Sequence, residues 1–249
     1  MARRASKAAE LHQLTPRQQN SNRKKIRIDD LRTIEPLTKN QELFFNAYND
    51  DSELMVLHGV AGTGKSFIAL YKAIEEVLDK GKHFHRMIIV RSAVQSREIG
   101  HLPGDLEEKL EQYQLPYKAI INNLFSGISD VYDKLTQQGS IEFVSTSFVR
   151  GMTFDDSVVI VDECQNLSWE ELDTIMTRVG DRSKIIFCGD YRQTDLKKAG
   201  DKSGLFKFLN ILREMNGHTR IEFMVDDIVR SRLVKDYILA RMKYEDKEK

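Results

Sequence analysis

Short apolar runs alternate with stripes of helical spacing along most of the chain. The runs predict six strands, at 54–57, 87–90, 141–144, 158–161, 184–188 and 220–225. Between them, apolar residues three or four apart predict helices, the clearest at 65–79, 204–215 and 226–242. Strands that keep alternating with helices are typical of a parallel sheet with helices on both faces. The pattern therefore predicts one α/β domain with a mostly parallel, doubly wound sheet.

One stretch, at about 95–140, breaks this alternation. It contains the turn-rich run 98–105, and a short charged helix is predicted from Leu106 to Tyr113. From Pro116, apolar residues keep helical spacing as far as position 135. We interpret this stripe as a packing face against the sheet. The turn before it is interpreted as an insertion at the strand edge, suited to contacting a partner chain or strand.

The loop after the first predicted strand carries the most specific motif. It reads Gly59-Val60-Ala61-Gly62-Thr63-Gly64-Lys65-Ser66 and leads directly into a predicted helix. In this G-x-x-x-x-G-K-[ST] pattern, glycines let successive backbone N–H groups face phosphates at a helix N-terminus. We expect all eight residues to bind ATP, with Lys65 between the β- and γ-phosphates and the Ser66 hydroxyl on Mg²⁺. An ordinary glycine-rich turn is the alternative.

Polar side chains also follow other predicted strands at the same edge of the sheet. Asp162 and Glu163 come directly after the apolar run 158–161. A carboxylate at this place holds Mg²⁺ in nucleoside triphosphatases, which predicts Asp162 as a metal ligand. Glu163 is predicted to activate the attacking water as a general base. The alternative for Asp162 and Glu163 is that they are two carboxylates in a solvated turn. Gln193, after the fifth strand, is predicted to sense the γ-phosphate.

Gln41 has two interpretations. Thr38 and Gln41 have the spacing of a capping box at the start of a helix. The amide of Gln41 also has one donor and one acceptor, which match the N6 and N7 edge of adenine. Together with the phosphate loop that follows, we favour adenine recognition.

Charge is distributed unevenly. Residues 1–27 contain eight lysine or arginine side chains and one acid, Glu10, although the whole chain has a formal net charge of zero. We expect these residues to be a basic, disordered arm, with either a polyanion partner or none. Residues 28–244 are expected to form the ATPase domain, and 245–249 a charged tail. No signal-peptide core and no membrane span are predicted, and the two cysteines are expected in the core, so the chain is predicted to be cytoplasmic.

The motifs together resemble the PhoH-like family, single RecA-like-domain P-loop ATPases related to the superfamily 1 helicase core. The residues that carry the resemblance are the Gln41 segment, Gly59 to Ser66, Arg91 to Val94 with Ile99 to Gly104, Val149 to Thr153, Val161 to Asn166, Gly189 to Asp195, and Asp227 to Arg230. The chain departs from the usual family pattern at two places: it has Ser92 where the family usually has a proline, and Ser231-Arg232 where the family has a His-Pro pair. The second departure leaves the role of Arg230 open.

The resemblance implies binding and hydrolysis of ATP with Mg²⁺, action on RNA or single-stranded nucleic acid, and a homo-oligomeric ring, expected to have six subunits. A motor helicase has two such domains with nucleotide between them, whereas this chain has one. We therefore expect Arg150 or Arg230 of a neighbouring subunit to act as an arginine finger, and the isolated monomer to be a poor ATPase. Two other functions are a phosphotransferase acting on a small substrate and a nucleotide-switched binding module with little turnover.

Overall fold

The computed structural model describes residues 25–92, 106–190, 199–245 and Lys247. Its described part contains one six-stranded sheet with the order β3-β2-β4-β5-β1-β6. All strand pairs in this sheet are parallel. The strands are β1 Leu54–Gly59, β2 Arg86–Arg91, β3 Ile141–Ser145, β4 Ser157–Val161, β5 Lys184–Gly189 and β6 His218–Phe223. The six predicted strands and their parallel arrangement are confirmed, and the domain is a single RecA-like α/β unit.

Helices cover both faces of this sheet. They are α1 Lys39–Asn49, α2 Lys65–Leu78, α3 Leu106–Asn123, α4 Val131–Gln137, α5 Trp169–Met176, α6 Ala199–Glu214 and α7 Arg232–Glu245. Alternate residues of β4 point to opposite faces, so Val158 and Ile160 pack with α1 to α4, whereas Val159 and Val161 pack with α5 and α6. Because both faces are covered, β4 is buried along its whole length, which explains the unbroken apolar run at 158–161.

The region expected to be a helical insertion differs from its prediction in two ways. Helix α3 runs unbroken through Pro116, although a proline inside a helix costs about 3 kcal/mol. Tyr117 and Ile121 are buried in the core on this helix, and their packing offsets that cost. The apolar stripe is also divided, because Gly127 has a positive φ of 73° and α4 begins only at Val131. The predicted turn at 98–105 lies outside the described residues.

The start of the last helix was predicted too early. A short 3₁₀ turn at Val225–Asp227 comes first, and α7 begins at Arg232. The carboxylate of Asp227 accepts hydrogen bonds from the backbone N–H of Met224 and from Asn40 on α1, at 2.8 and 2.7 Å. These contacts stabilise a turn at the place where the sequence indicated a helix. Arg230 therefore lies before the helix and not in it.

Residues 25–37, which we call the lead-in, precede α1 and pack against the rest of the domain. Ile26 is 1% exposed, and Leu31 pairs with Phe125 in an isolated bridge. Most of the basic arm, residues 1–24, lies outside the described residues. Among the helices of the described part, none has the length and apolar character needed to span a membrane.

Candidate nucleotide site

The phosphate loop joins β1 to α2 along a strained path that needs glycine. Gly59 has a φ of 120°, and a β-carbon placed there would lie 2.1 Å from the carbonyl oxygen of Phe223. Gly64, directly before α2, also has a positive φ, at 83°. The loop turns into the helix within a few residues, as the sequence pattern predicts, and the structure also shows it pressed against the end of β6.

Lys65 lies folded inside the loop. Its Nζ donates to the carbonyl oxygens of Gly59 and Val60, at 3.1 and 2.8 Å, and to the hydroxyl of Thr63 at 3.3 Å. Burial lowers the pKa of the ammonium, against the raising effect of Asp190 and other nearby acids. The loop thus holds a cation at its centre with several polar partners, where an anionic ligand would be attracted.

Ser66 and Asp162 form the pair predicted for Mg²⁺. The hydroxyl of Ser66 donates to Oδ1 of Asp162 over 2.7 Å, which joins the start of α2 to the end of β4. Since the hydroxyl proton points at the carboxylate, the lone pairs of Oγ remain free for a cation. Two hard oxygen ligands beside a phosphate loop suit Mg²⁺, which takes one or two protein ligands and fills its other positions with phosphate and water. The side chains present therefore fit the ion.

Glu163 has the backbone and the environment of a functional residue. Its φ is 51°, a left-handed conformation that is uncommon for a glutamate. Burial and the neighbouring Asp162 raise the pKa of its carboxyl, while Gln165, Arg91 and Lys65 act to lower it. Oε2 accepts a hydrogen bond of 2.5 Å from the amide of Gln165. One carboxylate oxygen is thus fixed by the protein.

Gln165 was missed as a site residue by the sequence reasoning. Its Nε2 contacts Glu163, and its Oε1 accepts a hydrogen bond of 3.0 Å from the backbone N–H of Asp190. It therefore ties the end of β4 to the end of β5. The sequence did offer one signal for this role, since Gln165 lies two residues after Glu163 within the motif Val161 to Asn166.

Tyr117 and Arg91 form a second layer around Asp162. Tyr117, on α3, donates a hydrogen bond from its hydroxyl to Oδ2 of Asp162 over 2.9 Å. Burial and Asp162 raise the pKa of Tyr117 well above its usual value, so this hydroxyl stays protonated. Burial disfavours the charge on Arg91, but Tyr117, Asp162 and Glu163 outweigh it and raise its pKa. The sequence marked Tyr117 only as part of an apolar helical stripe.

Two adjoining cavities flank the phosphate loop. The first, which we call the phosphate-side cavity, has a volume of about 370 Å³ and is lined by the loop, Arg91, Tyr117, Asp162, Glu163 and Asp190, among others. The second, the base-side cavity, has about 420 Å³ and a largely apolar wall that includes Ile34, Leu37, Phe67, Ile120 and Val229. Both are lined by Gly62, Gly64 and Arg230. A ligand with an anionic end and a flat apolar end would fit across the two.

Gln41 lies at the base-side cavity with both ends of its amide engaged. Its Oε1 accepts from the backbone N–H of Leu37 at 2.8 Å, and its Nε2 donates to the carbonyl oxygen of Thr63 at 2.9 Å. Thr38 caps α1 by accepting from the N–H of Gln41. The side chain therefore reaches back to Leu37 instead of closing the capping box on Thr38, and it also supports the phosphate loop.

The predicted arginines occupy different places. Arg230 is exposed and lines both cavities of its own chain, held there by a hydrogen bond from the N–H of Val229 to the carbonyl of Gly62. Arg150 is exposed in the turn after β3 and is not among the described residues that line either cavity. Gln193 lies outside the described residues. The structure thus brings Arg230 to the loop and leaves Arg150 apart from it.

A family model described as PhoH-like protein matches residues 33–241. The chain belongs to the PhoH-like family. The PhoH-like protein of Mycobacterium leprae (strain TN) is 34% identical over 86% of this chain and 60% of that protein. The PhoH-like protein of Bacillus subtilis (strain 168) is 38% identical over 73% of this chain and 56% of that protein. Protein PhoH of Escherichia coli (strain K12) is 32% identical over 82% of this chain and 58% of that protein.

The chain spans about 60% or less of the length of these PhoH-like relatives. Among solved structures, the large terminase of a thermophilic bacteriophage in complex with ADP aligns with a TM-score of 0.47. That alignment has 15% identity and covers 81% of this chain and 49% of the terminase. Family membership and the phosphate loop identify the chain as a P-loop protein.

Proposed function

We propose that this PhoH-like protein hydrolyses ATP with Mg²⁺ and uses the reaction to bind or remodel RNA or single-stranded nucleic acid. The observation that carries the hydrolytic part is the placement of Lys65, Ser66, Asp162 and Glu163 around one phosphate-side cavity. A cation, a metal-binding pair and a carboxylate suited to base chemistry are the groups that phosphoryl transfer to water requires.

Binding of the triphosphate begins at the loop. Backbone N–H groups and the N-terminus of α2 would receive the phosphates, and Lys65 would exchange its loop carbonyl partners for phosphate oxygens. Ser66 and Asp162 would hold Mg²⁺ beside the phosphates. The ion, when bound, supplies positive charge that neutralises the phosphate oxygens as the reaction proceeds.

Glu163 is the proposed general base. Because Gln165 donates to Oε2, we assign the proton from water to the other oxygen, Oε1. The water oxygen forms a bond to the γ-phosphorus as the bond from that phosphorus to the bridging oxygen breaks, and ADP leaves with that oxygen. The raised pKa of Glu163 makes it a stronger base than an exposed glutamate, while Arg91 and Lys65 nearby keep its charge balanced.

The base-side cavity is the proposed adenine site. Its apolar walls from the lead-in, α2 and α3 suit a flat aromatic base. Recognition of adenine by the Gln41 amide stays a prediction, and a base would have to compete with the bonds to Leu37 and Thr63. The contacts of Gln41 support a second role, holding the phosphate loop in its bound shape.

The coupling to nucleic acid and the ring of six subunits are supported by the family resemblance. The position of Arg230 favours a role within its own subunit. Arg150 is exposed and lies apart from both cavities, which suits donation to a neighbour's site. The basic residues of the arm at 1–27 would attract a polyanion.

The test is an ATPase assay on the full chain. We expect turnover with Mg²⁺, none with EDTA, and a rise in rate when single-stranded RNA or DNA is added; sizing with ATP present should show an oligomer. No turnover at any protein concentration would overturn the hydrolytic proposal. Turnover that no strand stimulates would overturn the coupling to nucleic acid alone.

A further inference from the structure

Helix α3 lies in the region that the sequence marked as an insertion, yet it supplies walls to both cavities. Pro116, Tyr117 and Ile120 line the phosphate-side cavity, and Ala119, Ile120 and Asn123 line the base-side cavity. A short stretch of this helix therefore spans the whole candidate site. The polar contact it makes with the metal-binding pair is the hydroxyl of Tyr117.

Asp162 is held by one hydrogen bond on each carboxylate oxygen. Ser66 donates to Oδ1 over 2.7 Å, and Tyr117 donates to Oδ2 over 2.9 Å. Asp162 is 7% exposed and Tyr117 is 1% exposed, so water has little access to compete for these positions. Two donors on opposite oxygens fix the rotation of the carboxylate, and hydrogen bonds to a charged acceptor are stronger than neutral ones.

We propose that Tyr117 is a positioning residue that holds Asp162 in the orientation needed for Mg²⁺. It would act through the carboxylate of Asp162, to which its hydroxyl donates. This inference rests on the proposed function, because it assigns a role toward the Mg²⁺ that Ser66 and Asp162 would bind. It also gives α3 a function, because through Tyr117 this helix would set the orientation of Asp162 beside the phosphate loop.

Orientation matters here because Mg²⁺ demands near-ideal octahedral geometry. If Oδ2 lost its partner, the carboxylate would be free to rotate away from Ser66 or to accept water instead. Partners that orient metal ligands typically change metal affinity by about 10- to 100-fold when they are removed. The effect should therefore fall on the Mg²⁺ requirement more than on the nucleotide itself.

The variant Tyr117→Phe removes only the hydroxyl and keeps the buried ring. The matched control is Tyr132→Phe on α4, since Tyr132 is also buried and donates from its hydroxyl to Gln114 on α3 over 3.0 Å, away from Asp162. Thermal unfolding of both variants shows whether either substitution disturbs the fold.

The experiment measures binding of a non-hydrolysable ATP analogue by calorimetry over a range of Mg²⁺ concentrations and in EDTA. For Tyr117→Phe we expect half-maximal stimulation of binding to need about tenfold more Mg²⁺ than for the unmodified chain. Affinity in EDTA should change less than about twofold, and Tyr132→Phe should follow the unmodified chain in both conditions. In turnover assays, saturating Mg²⁺ should restore most of the rate.

Two results would overturn the inference. In the first, binding to the unmodified chain responds to Mg²⁺ and Tyr117→Phe needs the same Mg²⁺ concentration. This result would leave the proposed function standing. The other is an equal shift in Tyr132→Phe, which would show a general effect of the helical region. A chain whose binding ignores Mg²⁺ altogether would instead overturn the proposed metal-dependent function, and this inference with it.

Discussion

The two cavities beside the phosphate loop are built from different parts of the fold. On the phosphate side, most charged groups lie at the ends of β2, β4 and β5, which are strands of the buried sheet, while Lys65 begins α2. On the base side, the walls are side chains of the lead-in, of α2 and α3, and of the segment before α7. The chemistry is thus attached to the rigid sheet, while the contacts to the base depend on how helices pack against it.

This difference predicts separable effects. Substitutions on the phosphate side should change affinity for phosphates or the rate of hydrolysis, and leave the preference among bases alone. Substitutions on the base side should weaken the binding of every nucleotide that reaches the loop and leave the rate of the chemical step unchanged. The loop belongs to both sides, since Gly62 and Gly64 line both cavities.

The largest effect is expected for Lys65→Ala. Removing the buried ammonium at the centre of the loop should weaken ATP binding by at least about 100-fold, the cost of one or two charge-assisted hydrogen bonds. Calorimetry with ATP and with GTP should show equal losses. A loss confined to one base would contradict the separation of the two cavities.

The next effect is expected for Arg230→Ala. Loss of a cation beside the loop should lower the turnover rate by about 10- to 100-fold, somewhat less than a full arginine finger. Because Arg230 lies at its own chain's loop, mixing this variant with Lys65→Ala should restore no activity. Recovery on mixing would show that Arg230 acts on a neighbour. The same mixture made with Arg150→Ala in place of Arg230→Ala tests that second candidate.

A smaller effect is expected for Gln41→Ala. Because its amide bonds Leu37 and Thr63, we expect ATP and GTP binding to weaken about equally, by roughly five- to tenfold for two lost hydrogen bonds around a shared loop. A loss for ATP that clearly exceeds the loss for GTP would favour adenine recognition by Gln41. Glu42→Ala, an exposed neighbour on α1, is the matched control.

The smallest effect is a shift in the acid side of the pH profile. Glu163 must be deprotonated to act as a base, and burial beside Asp162 raises its pKa. Activity should therefore begin to fall, as pH is lowered, at a higher pH than the value of about 4.3 that an exposed glutamate would set. The measurement is kcat/KM between about pH 4.5 and 8, and the absence of an acid limb within this range would contradict the assignment.

The sequence predicted the phosphate side better than the base side for a physical reason. Asp162 and Glu163 come directly after a buried strand, and the shared edge of a parallel sheet brings such residues together without further information. The sheet itself was predictable because its strands are largely unbroken apolar runs.

The contacts of α3 could not be predicted in this way. Tyr117 contacts Asp162, which is 45 positions away in the sequence. Pro116 suggested the start of a helix, whereas α3 continues through this residue. The place of Arg230 was missed because the Asp227 contacts that stabilise the preceding turn come partly from α1, far away in the chain. Each of these features depends on packing between helices, for which local spacing gives no signal.

The most direct test of the account is Glu163→Gln. The substitution keeps the shape and removes the base, so ATP should bind within about threefold of the unmodified chain while single-turnover hydrolysis falls by at least about 100-fold. Glu170→Gln, an exposed neighbour at the start of α5, should retain both properties. Hydrolysis that survives in Glu163→Gln at close to the unmodified rate would contradict the central claim that this carboxylate activates the attacking water.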